Sequence, residues 1–96
     1  MIRPAAPEDH AAIDALLRAA FGGAGEAGLV AALRAGPVVA EWVAEAEGRV
    51  VGQVMLSAMV APVGWVALAP LAVAGAYRRR GIGAALVRGA LGALRG

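Results

Sequence analysis

The sequence predicts an α+β domain with α/β/α layering, in which a mixed, mainly antiparallel sheet of about four strands packs against three helices. Three observations support this fold class. Apolar residues recur at helical spacing near both ends of the chain, they alternate with acids from Val38 onward, and turns containing glycine or proline divide the uncharged stretch that follows. With 96 residues, the chain has room for one small domain, which we assign to residues 1–96.

The N-terminal part predicts a short strand and two helices. The strand, at residues 1–3, ends at Pro4, and the first helix begins near Pro7, because proline suits a first helical turn and acids follow it. Its apolar face is formed by Ile13, Leu16, Leu17, Ala20 and Phe21. Two glycines, Gly22 and Gly23, end this helix, and a second helix is predicted from Glu26 to Ala35.

The period of the pattern changes to two at Val38. The acids Glu41, Glu45 and Glu47 alternate there with apolar residues, which predicts a half-buried strand whose acids face water. Gly48-Arg49 fits the tight turn of a hairpin that leads into the next strand.

Two more strands and a helix complete the predicted elements. The strands cover residues 50–60 and 65–74, with a turn at 61–64 between them. Because proline removes a hydrogen bond of the sheet, Pro70 indicates a bulge or a sheet edge. A bulge at this position would leave backbone groups free to bind a ligand. The last helix is predicted from Ile82 to about Arg95.

The charges are divided unevenly between the two halves of the chain. Residues 1–47 contain seven acids and three arginines, whereas residues 48–96 contain six arginines and no acid. A basic half without acids indicates an anionic ligand. Aromatic residues make up only 4% of the chain, which argues against nucleic acid because bases need aromatic stacking partners. With no cysteine and one histidine, we expect no metal site.

A basic, glycine-containing segment precedes the last predicted helix, with the sequence Arg78-Arg79-Arg80-Gly81-Ile82-Gly83. The start of a helix exposes unpaired backbone N–H groups and a partial positive charge. Glycine lacks the Cβ atom that would keep an anion from the backbone, and arginine pairs with phosphate oxygens. The segment therefore predicts a phosphate-binding loop. It lacks the Gly-Lys-Ser/Thr of a Walker loop and the third glycine of the dinucleotide fingerprint.

The strand, loop and helix together resemble the acetyl-CoA motif of the GNAT superfamily of N-acetyltransferases. This motif is Gln/Arg-x-x-Gly-x-Gly/Ala after an apolar strand, and Arg78, Gly81 and Gly83 match its fixed positions. The segment 2–13 resembles the first strand and helix of the family. Residues 26–34 resemble the second helix of a predicted-acetyltransferase subgroup.

The resemblance implies an incomplete acyl-CoA N-acyltransferase fold, apparently truncated after the third helix, and direct transfer of an acetyl group from acetyl-CoA to an amine. Backbone groups of the preceding strand would pair with the pantetheine arm, and N–H groups of the loop would hold the pyrophosphate. The implied cofactor-binding residues are Leu71, Ala72, Val73, Arg78, Arg79, Arg80, Gly81, Ile82, Gly83 and Ala84. The fourth strand carries no acid, so no catalytic residue is assigned.

Two residues are candidates for the acceptor side of the site, and both also fit structural roles. Glu26 could lie near the acceptor amine, or could serve only as a first-turn acid that favours the helix dipole. Ser57 could contact the acceptor, or could be a buried hydrogen-bonding residue of its strand. The acceptor is expected to be an amine of a small molecule or a peptide.

Two alternatives stay open at this point. A non-catalytic remnant could bind CoA or form a homodimer through an open strand edge. A single-pass membrane protein is suggested by the uncharged stretch from Val50 to Tyr77, although its prolines and glycines fit a strand–turn–strand unit better. Because the N-terminus lacks the pattern of a signal peptide, we expect a cytoplasmic protein without a membrane partner.

Overall fold

The computed structural model describes residues 1–36, 38–58 and 66–94 of the chain. The predicted turn at 61–64 and Trp65 therefore lie outside the described residues. In chain order the elements are strand β1 (Ile2–Pro4), a 3-10 helix (Pro7–Asp9), helices α1 (His10–Phe21) and α2 (Gly25–Arg34), strands β2 (Val38–Ala46), β3 (Arg49–Ala58) and β4 (Val66–Val73), a second 3-10 helix (Gly75–Tyr77), and helix α3 (Ile82–Leu94).

The four strands form one sheet in the order β1-β2-β3-β4, and each neighbouring pair is antiparallel. Helices α1 and α2 cover one face of this sheet, and α3 covers the other. The predicted α+β class and its layering are therefore confirmed. The sheet is purely antiparallel in the described ranges, and β4 lies at one of its edges.

Each face of the sheet has its own apolar core. The core under α1 and α2 includes Ile13, Leu16, Leu17, Ala27, Val30, Val43, Met55 and Ala72. The core under α3 includes Ala44, Val51, Val54, Leu56, Leu86 and Ala90. The buried helical residues recur every three or four positions, as expected of helices that bury one face. Burying these side chains supplies the main favourable term in folding.

The hairpin turn between β2 and β3 occupies Glu47 and Gly48, one residue earlier than predicted. Both have positive φ, 55° at Glu47 and 74° at Gly48, as in the two-residue turns that match the twist of hairpin strands. Arg49, which was predicted to lie in the turn, is the first residue of β3.

The prediction that the acids of β2 face water was wrong for Glu41 and Glu45. The side chain of Glu41 is only 8% exposed, and it accepts hydrogen bonds at 2.8 Å from Nε and from Nη2 of Arg34. Glu45 accepts from Nε of Arg3 at 3.0 Å. Both acids lie on the face covered by α1 and α2, where an arginine from a neighbouring segment neutralises each of them.

The bulge predicted at Pro70 is confirmed. Val54 of β3 pairs with Leu71 of β4, and Leu56 pairs with Leu68. Two residues of β4, Ala69 and Pro70, therefore lie opposite one residue of β3. This is the arrangement of a β-bulge.

The segment that suggested a membrane span has a different structure. Its described parts form strands β3 and β4, followed by the 3-10 helix at Gly75–Tyr77. Within residues 1–36, 38–58 and 66–94, no helix combines the length and the apolar character needed to cross a bilayer.

A network of ion pairs ties the start of α1 to the sheet. Asp9 accepts hydrogen bonds from Nη1 of Arg3 at 2.7 Å, from Nη2 of Arg3 at 3.0 Å, and from the N–H of Ala6 at 2.8 Å. The hydrogen bonds from Arg3, followed by that from Ala6, lower the pKa of Asp9 from 3.8 to about 2. Arg3 also bonds Glu45, so one guanidinium joins β1, β2 and the first helical turn.

We expect Asp9→Asn to lower the free energy of unfolding at pH 7 by about 1–2 kcal/mol, since it removes a charged hydrogen-bond acceptor from a partly exposed pair. Because the pKa of Asp9 is depressed in the folded state, its stabilisation is present above about pH 4 and is lost as the pH falls toward about 2. Urea unfolding at several pH values measures this, and the variant should lack that part of the pH dependence.

The matched control is Asp14→Asn, because Asp14 pairs with Arg18 on the surface of α1 with both side chains about half exposed. This change should cost no more than about 0.5 kcal/mol. An Asp9→Asn protein that loses stability between pH 4 and pH 2 as steeply as the unmodified protein would contradict the assignment.

Candidate functional site

The candidate site lies where β4 leads through the 3-10 helix into α3. As predicted, α3 begins at Ile82, and its first internal hydrogen bond runs from the N–H of Ala85 to the carbonyl of Gly81 at 3.0 Å. The N–H groups of Ile82, Gly83 and Ala84 precede this bond, and none of them donates to an oxygen of the described residues. The positive end of the helix dipole adds to these open donors. The helix start is therefore suited to bind an anion.

The two glycines of the loop serve different purposes. Gly81 has a φ of 77°, a conformation that L side chains rarely adopt, and a Cβ built on it would meet nothing within 4 Å. A Cβ on Gly83 would lie 3.6 Å from Cδ2 of Leu71 and 3.9 Å from Cγ2 of Val73. Gly83 thus directs its missing side chain toward β4, whereas the sequence interpretation had assigned it to clearing space for the anion.

The three arginines of the loop are exposed, and no acid among the described residues forms an ion pair with any of them. Arg78 donates from Nε to the carbonyl of Val73 at 3.0 Å. The guanidinium of Arg80 lies over the ring of Tyr77, 5.3 Å from its centroid. Arg79 has a φ of 64°. The protein itself orients two of the three guanidinium groups, and all three add positive charge beside the start of α3.

The outer edge of β4 presents backbone groups next to this loop. The N–H of Ala74 donates to the carbonyl of Val51 at 2.7 Å, and Ala72 lies opposite Gln53. Because hydrogen-bonded positions alternate along an antiparallel strand, Leu71 and Val73 direct their N–H and C=O groups away from β3. The bulge at Pro70 comes directly before them. The structure thus brings the predicted strand residues and the predicted loop residues together.

The two acceptor-side candidates lie away from this loop. Glu26 is partly buried in the first turn of α2. Ser57 is buried on β3, on the same side of the sheet as Met55, which packs under α1 and α2. The loop leads instead into α3, on the opposite face of the sheet.

Tyr77, Glu47 and Gly52 were not assigned to the site from the sequence. The hydroxyl of Tyr77 donates to Oε1 of Glu47, thirty residues away, which no local pattern indicates. Gly52 of β3 lies under α3, where a Cβ would be 3.0 Å from Cδ1 of Leu86. An isolated glycine within a predicted strand often marks such a close approach, and this signal was present in the sequence.

A cleft of about 570 Å³ lies elsewhere, between α1 and the β2–β3 hairpin. Its lining includes Arg3, Asp9 and Glu45, which satisfy one another in the network described above. In the loop before α3, the first N–H groups of the helix have no acceptor among the described residues, and the three arginines form no ion pair with an acid of those residues. We therefore place the candidate site at the loop and not at this cleft.

Within the described residues, the fold places a basic loop and a helix start suited to an anion beside an edge of the sheet that no other strand pairs with. The model of the acetyltransferase (GNAT) family matches residues 9–96. The chain belongs to the GNAT family of acetyltransferases. No curated protein matches it.

Two solved structures of GNAT family proteins are similar to this chain in sequence and in fold. A GNAT family acetyltransferase from Brucella melitensis in complex with acetyl-CoA is 35% identical, with a TM-score of 0.90 over 99% of this chain. A GNAT family N-acetyltransferase from Escherichia coli in complex with CoA is 40% identical, with a TM-score of 0.88 over 98% of this chain. The chain spans 68% of the first protein and 55% of the second.

A more distant match shares the fold alone. The ribosomal-protein-S18-alanine N-acetyltransferase from Escherichia coli is 17% identical, with a TM-score of 0.79. The match covers 98% of this chain and 58% of that protein.

Proposed function

We propose that the protein is an acetyl-CoA-dependent N-acetyltransferase that transfers the acetyl group to a primary amine by direct attack. The observation that carries this proposal is that, among the described residues, three N–H groups at the start of α3 have no acceptor and no strand pairs with the adjacent outer edge of β4. Acetyl-CoA carries a pyrophosphate, which suits the helix start, and a pantetheine arm with amide groups, which suits a strand edge. The proteins of known structure that are 35% and 40% identical hold acetyl-CoA and CoA.

In this proposal the loop binds the pyrophosphate. The N–H groups of Ile82, Gly83 and Ala84 donate to its oxygens, and Gly81 lets the phosphate approach the backbone. The guanidinium of Arg80 and the Nη atoms of Arg78 add charge-assisted hydrogen bonds. Arg79 contributes charge from its exposed position.

The strand edge binds the pantetheine arm and orients the thioester. Backbone groups of Leu71 and Val73 pair with the amides of the arm, and Ala72 holds this segment against β3. The N–H of Leu71, the first after the bulge, donates to the thioester carbonyl oxygen. Negative charge develops on this oxygen when the amine attacks, so a fixed donor there lowers the barrier. Holding both reactants in place supplies the rest of the rate enhancement.

The acceptor is proposed to bind at the face of the sheet that α1 and α2 cover, and to be an amine of a small molecule or a peptide. Glu26 is the acid in the first turn of α2, and a carboxylate there attracts a cationic amine. Ser57, buried on β3, offers a hydroxyl that can donate or accept. The C–N bond forms and the C–S bond breaks, CoA leaves as the thiolate, and the proton of the amine passes to that thiolate directly or through water. No acid occurs in β4, so no carboxylate of that strand removes the proton from the attacking amine.

Calorimetric titration of the full protein with acetyl-CoA, and then with CoA, tests the proposal. We expect saturable binding of both ligands, with weaker binding at higher salt because the contacts are charged. Transfer of radiolabelled acetyl groups to a panel of amines then measures the reaction. Absence of binding at millimolar ligand would reject the proposal.

A non-catalytic role in binding CoA or in dimerisation is the second candidate. The outer edge of β4, which pairs with none of the described strands, favours it, since such an edge pairs readily with another chain. Sedimentation of the full protein with and without CoA separates the candidates. A homodimer that binds CoA and transfers no acetyl group to any amine of the panel would favour this second role.

A further inference from the structure

We propose that Tyr77 is a positioning residue that holds the guanidinium of Arg80 beside the start of α3, ready for the pyrophosphate of the cofactor. This inference rests on the proposed function. It assigns a role to a tyrosine that lies outside the family motif and to Glu47 in a distant hairpin turn. Tyr77 acts through Arg80 and contacts no reacting atom.

The ring of Tyr77 is fixed from several directions. It is partly buried and packs against the apolar core under α3. Its hydroxyl donates to Oε1 of Glu47 in the turn between β2 and β3. The guanidinium of Arg80 lies over its face, with Cζ 5.3 Å from the ring centroid. This distance is within the range of a cation–π contact.

Glu47 adopts a backbone conformation that is unfavourable for glutamate, and its contact with Tyr77 offers a reason for glutamate at this position. Within residues 1–36, 38–58 and 66–94, two non-glycine residues have positive φ, namely Glu47 at 55° and Arg79 at 64°. Glu47 contacts Tyr77, and Arg79 precedes Arg80 in the loop. The first position of such a hairpin turn usually holds asparagine, aspartate or glycine, which tolerate positive φ more readily. Glutamate is less favourable there, and its contact with the hydroxyl of Tyr77 gives a reason for its presence.

The contact with Tyr77 preorganises the side chain of Arg80 for binding the cofactor. A free arginine side chain samples many rotamers, and fixing one of them on binding costs conformational entropy. The cation–π contact with a fixed ring restricts the Arg80 side chain before the ligand arrives, so less conformational entropy is lost on binding. The N–H groups of a guanidinium held over a ring face can still donate to phosphate oxygens.

A double-mutant cycle measured by CoA titration of the full protein tests the inference. Arg80→Ala should weaken CoA binding about tenfold, and Tyr77→Leu about three- to tenfold. The double variant should bind no more than about twofold more weakly than Arg80→Ala, because the two residues act as one unit. Tyr77→Phe, which keeps the ring, should recover most of the affinity of the unmodified protein.

The salt dependence of binding gives a second readout that a merely structural role would not change. Tyr77→Leu removes no charge, yet it should flatten the dependence of CoA affinity on salt as Arg80→Ala does. Arg88→Ala is the matched control, since Arg88 is an exposed arginine further along α3. It should leave the affinity within about twofold of the unmodified protein.

Three results would overturn the inference while leaving the proposed function in place. The first is a loss of CoA affinity in the double variant equal to the product of the two single losses. The second is an unchanged CoA affinity in Tyr77→Leu or Arg80→Ala, and the third is an unchanged salt dependence of CoA affinity in Tyr77→Leu. If Tyr77→Leu does not fold, Glu47→Ala takes its place in the cycle with the same expected direction. If the unmodified protein binds no CoA, the proposed function fails, and this inference fails with it.

Discussion

Gly81→Val is expected to weaken CoA binding by at least about tenfold. Valine at a φ of 77° is strained, and its branched side chain would occupy the open space beside the start of α3. In the proposed complex this space holds the pyrophosphate, so the side chain and the ligand compete for it. Calorimetric titration of the full protein with CoA measures the loss, and thermal unfolding measures the accompanying strain, about 1–2 kcal/mol.

Two controls separate crowding of the ligand from strain in the backbone. Gly22→Val introduces valine at a φ of 72°, also with nothing within 4 Å of the new Cβ, at the end of α1. It should lose similar stability and keep its affinity for CoA. Gly83→Ala should keep both properties, because its Cβ meets Leu71 and Val73 at ordinary contact distances. Equal affinity losses in Gly22→Val and Gly81→Val would contradict the placement of the pyrophosphate.

Gly52→Val is expected to have the largest effect on stability, a loss of about 2–3 kcal/mol. Gly52 is buried in β3, and a Cβ there would lie 3.0 Å from Cδ1 of Leu86, 3.2 Å from Cγ2 of Ile82 and 3.3 Å from Cβ of Ala44. The first turn of α3 would have to move away from the sheet. Since this turn carries the donors for the anion, CoA affinity should fall together with stability. Urea unfolding and CoA titration measure the two losses.

A compensating change tests the physical cause. Gly52→Ala places the same Cβ against Leu86, and Leu86→Val shortens the side chain that it meets. The double variant should therefore lose less stability than the sum of the two single losses. Additive losses would show that contact with Leu86 is not the reason for glycine at this position.

Much of the site could be predicted because its signals are local. The start of α3 at Ile82 follows from an arginine- and glycine-containing segment placed before a helical apolar pattern. The bulge follows from Pro70, which cannot donate a hydrogen bond within a strand. Both features depend on a few neighbouring residues, and the structure confirms both.

The remaining features depend on contacts between distant segments. Alternation along β2 shows that Glu41 and Val43 share one face, but it does not show that Arg34 neutralises the acid on that face. Nothing near Tyr77 indicates Glu47, because the hairpin and the loop meet only when the sheet and α3 pack together. A sequence pattern shows which residues share one face of a helix or strand, whereas the tertiary fold determines which distant residue each side chain contacts.

We propose that the amides at the start of α3, which have no acceptor among the described residues, bind the pyrophosphate of acetyl-CoA. An ¹⁵N–¹H NMR titration of the full protein with CoA observes these amides directly. We expect the resonances of Ile82, Gly83 and Ala84 to be among those that shift most and to saturate together with binding. Saturable binding of CoA that leaves these three resonances unmoved would contradict this proposal.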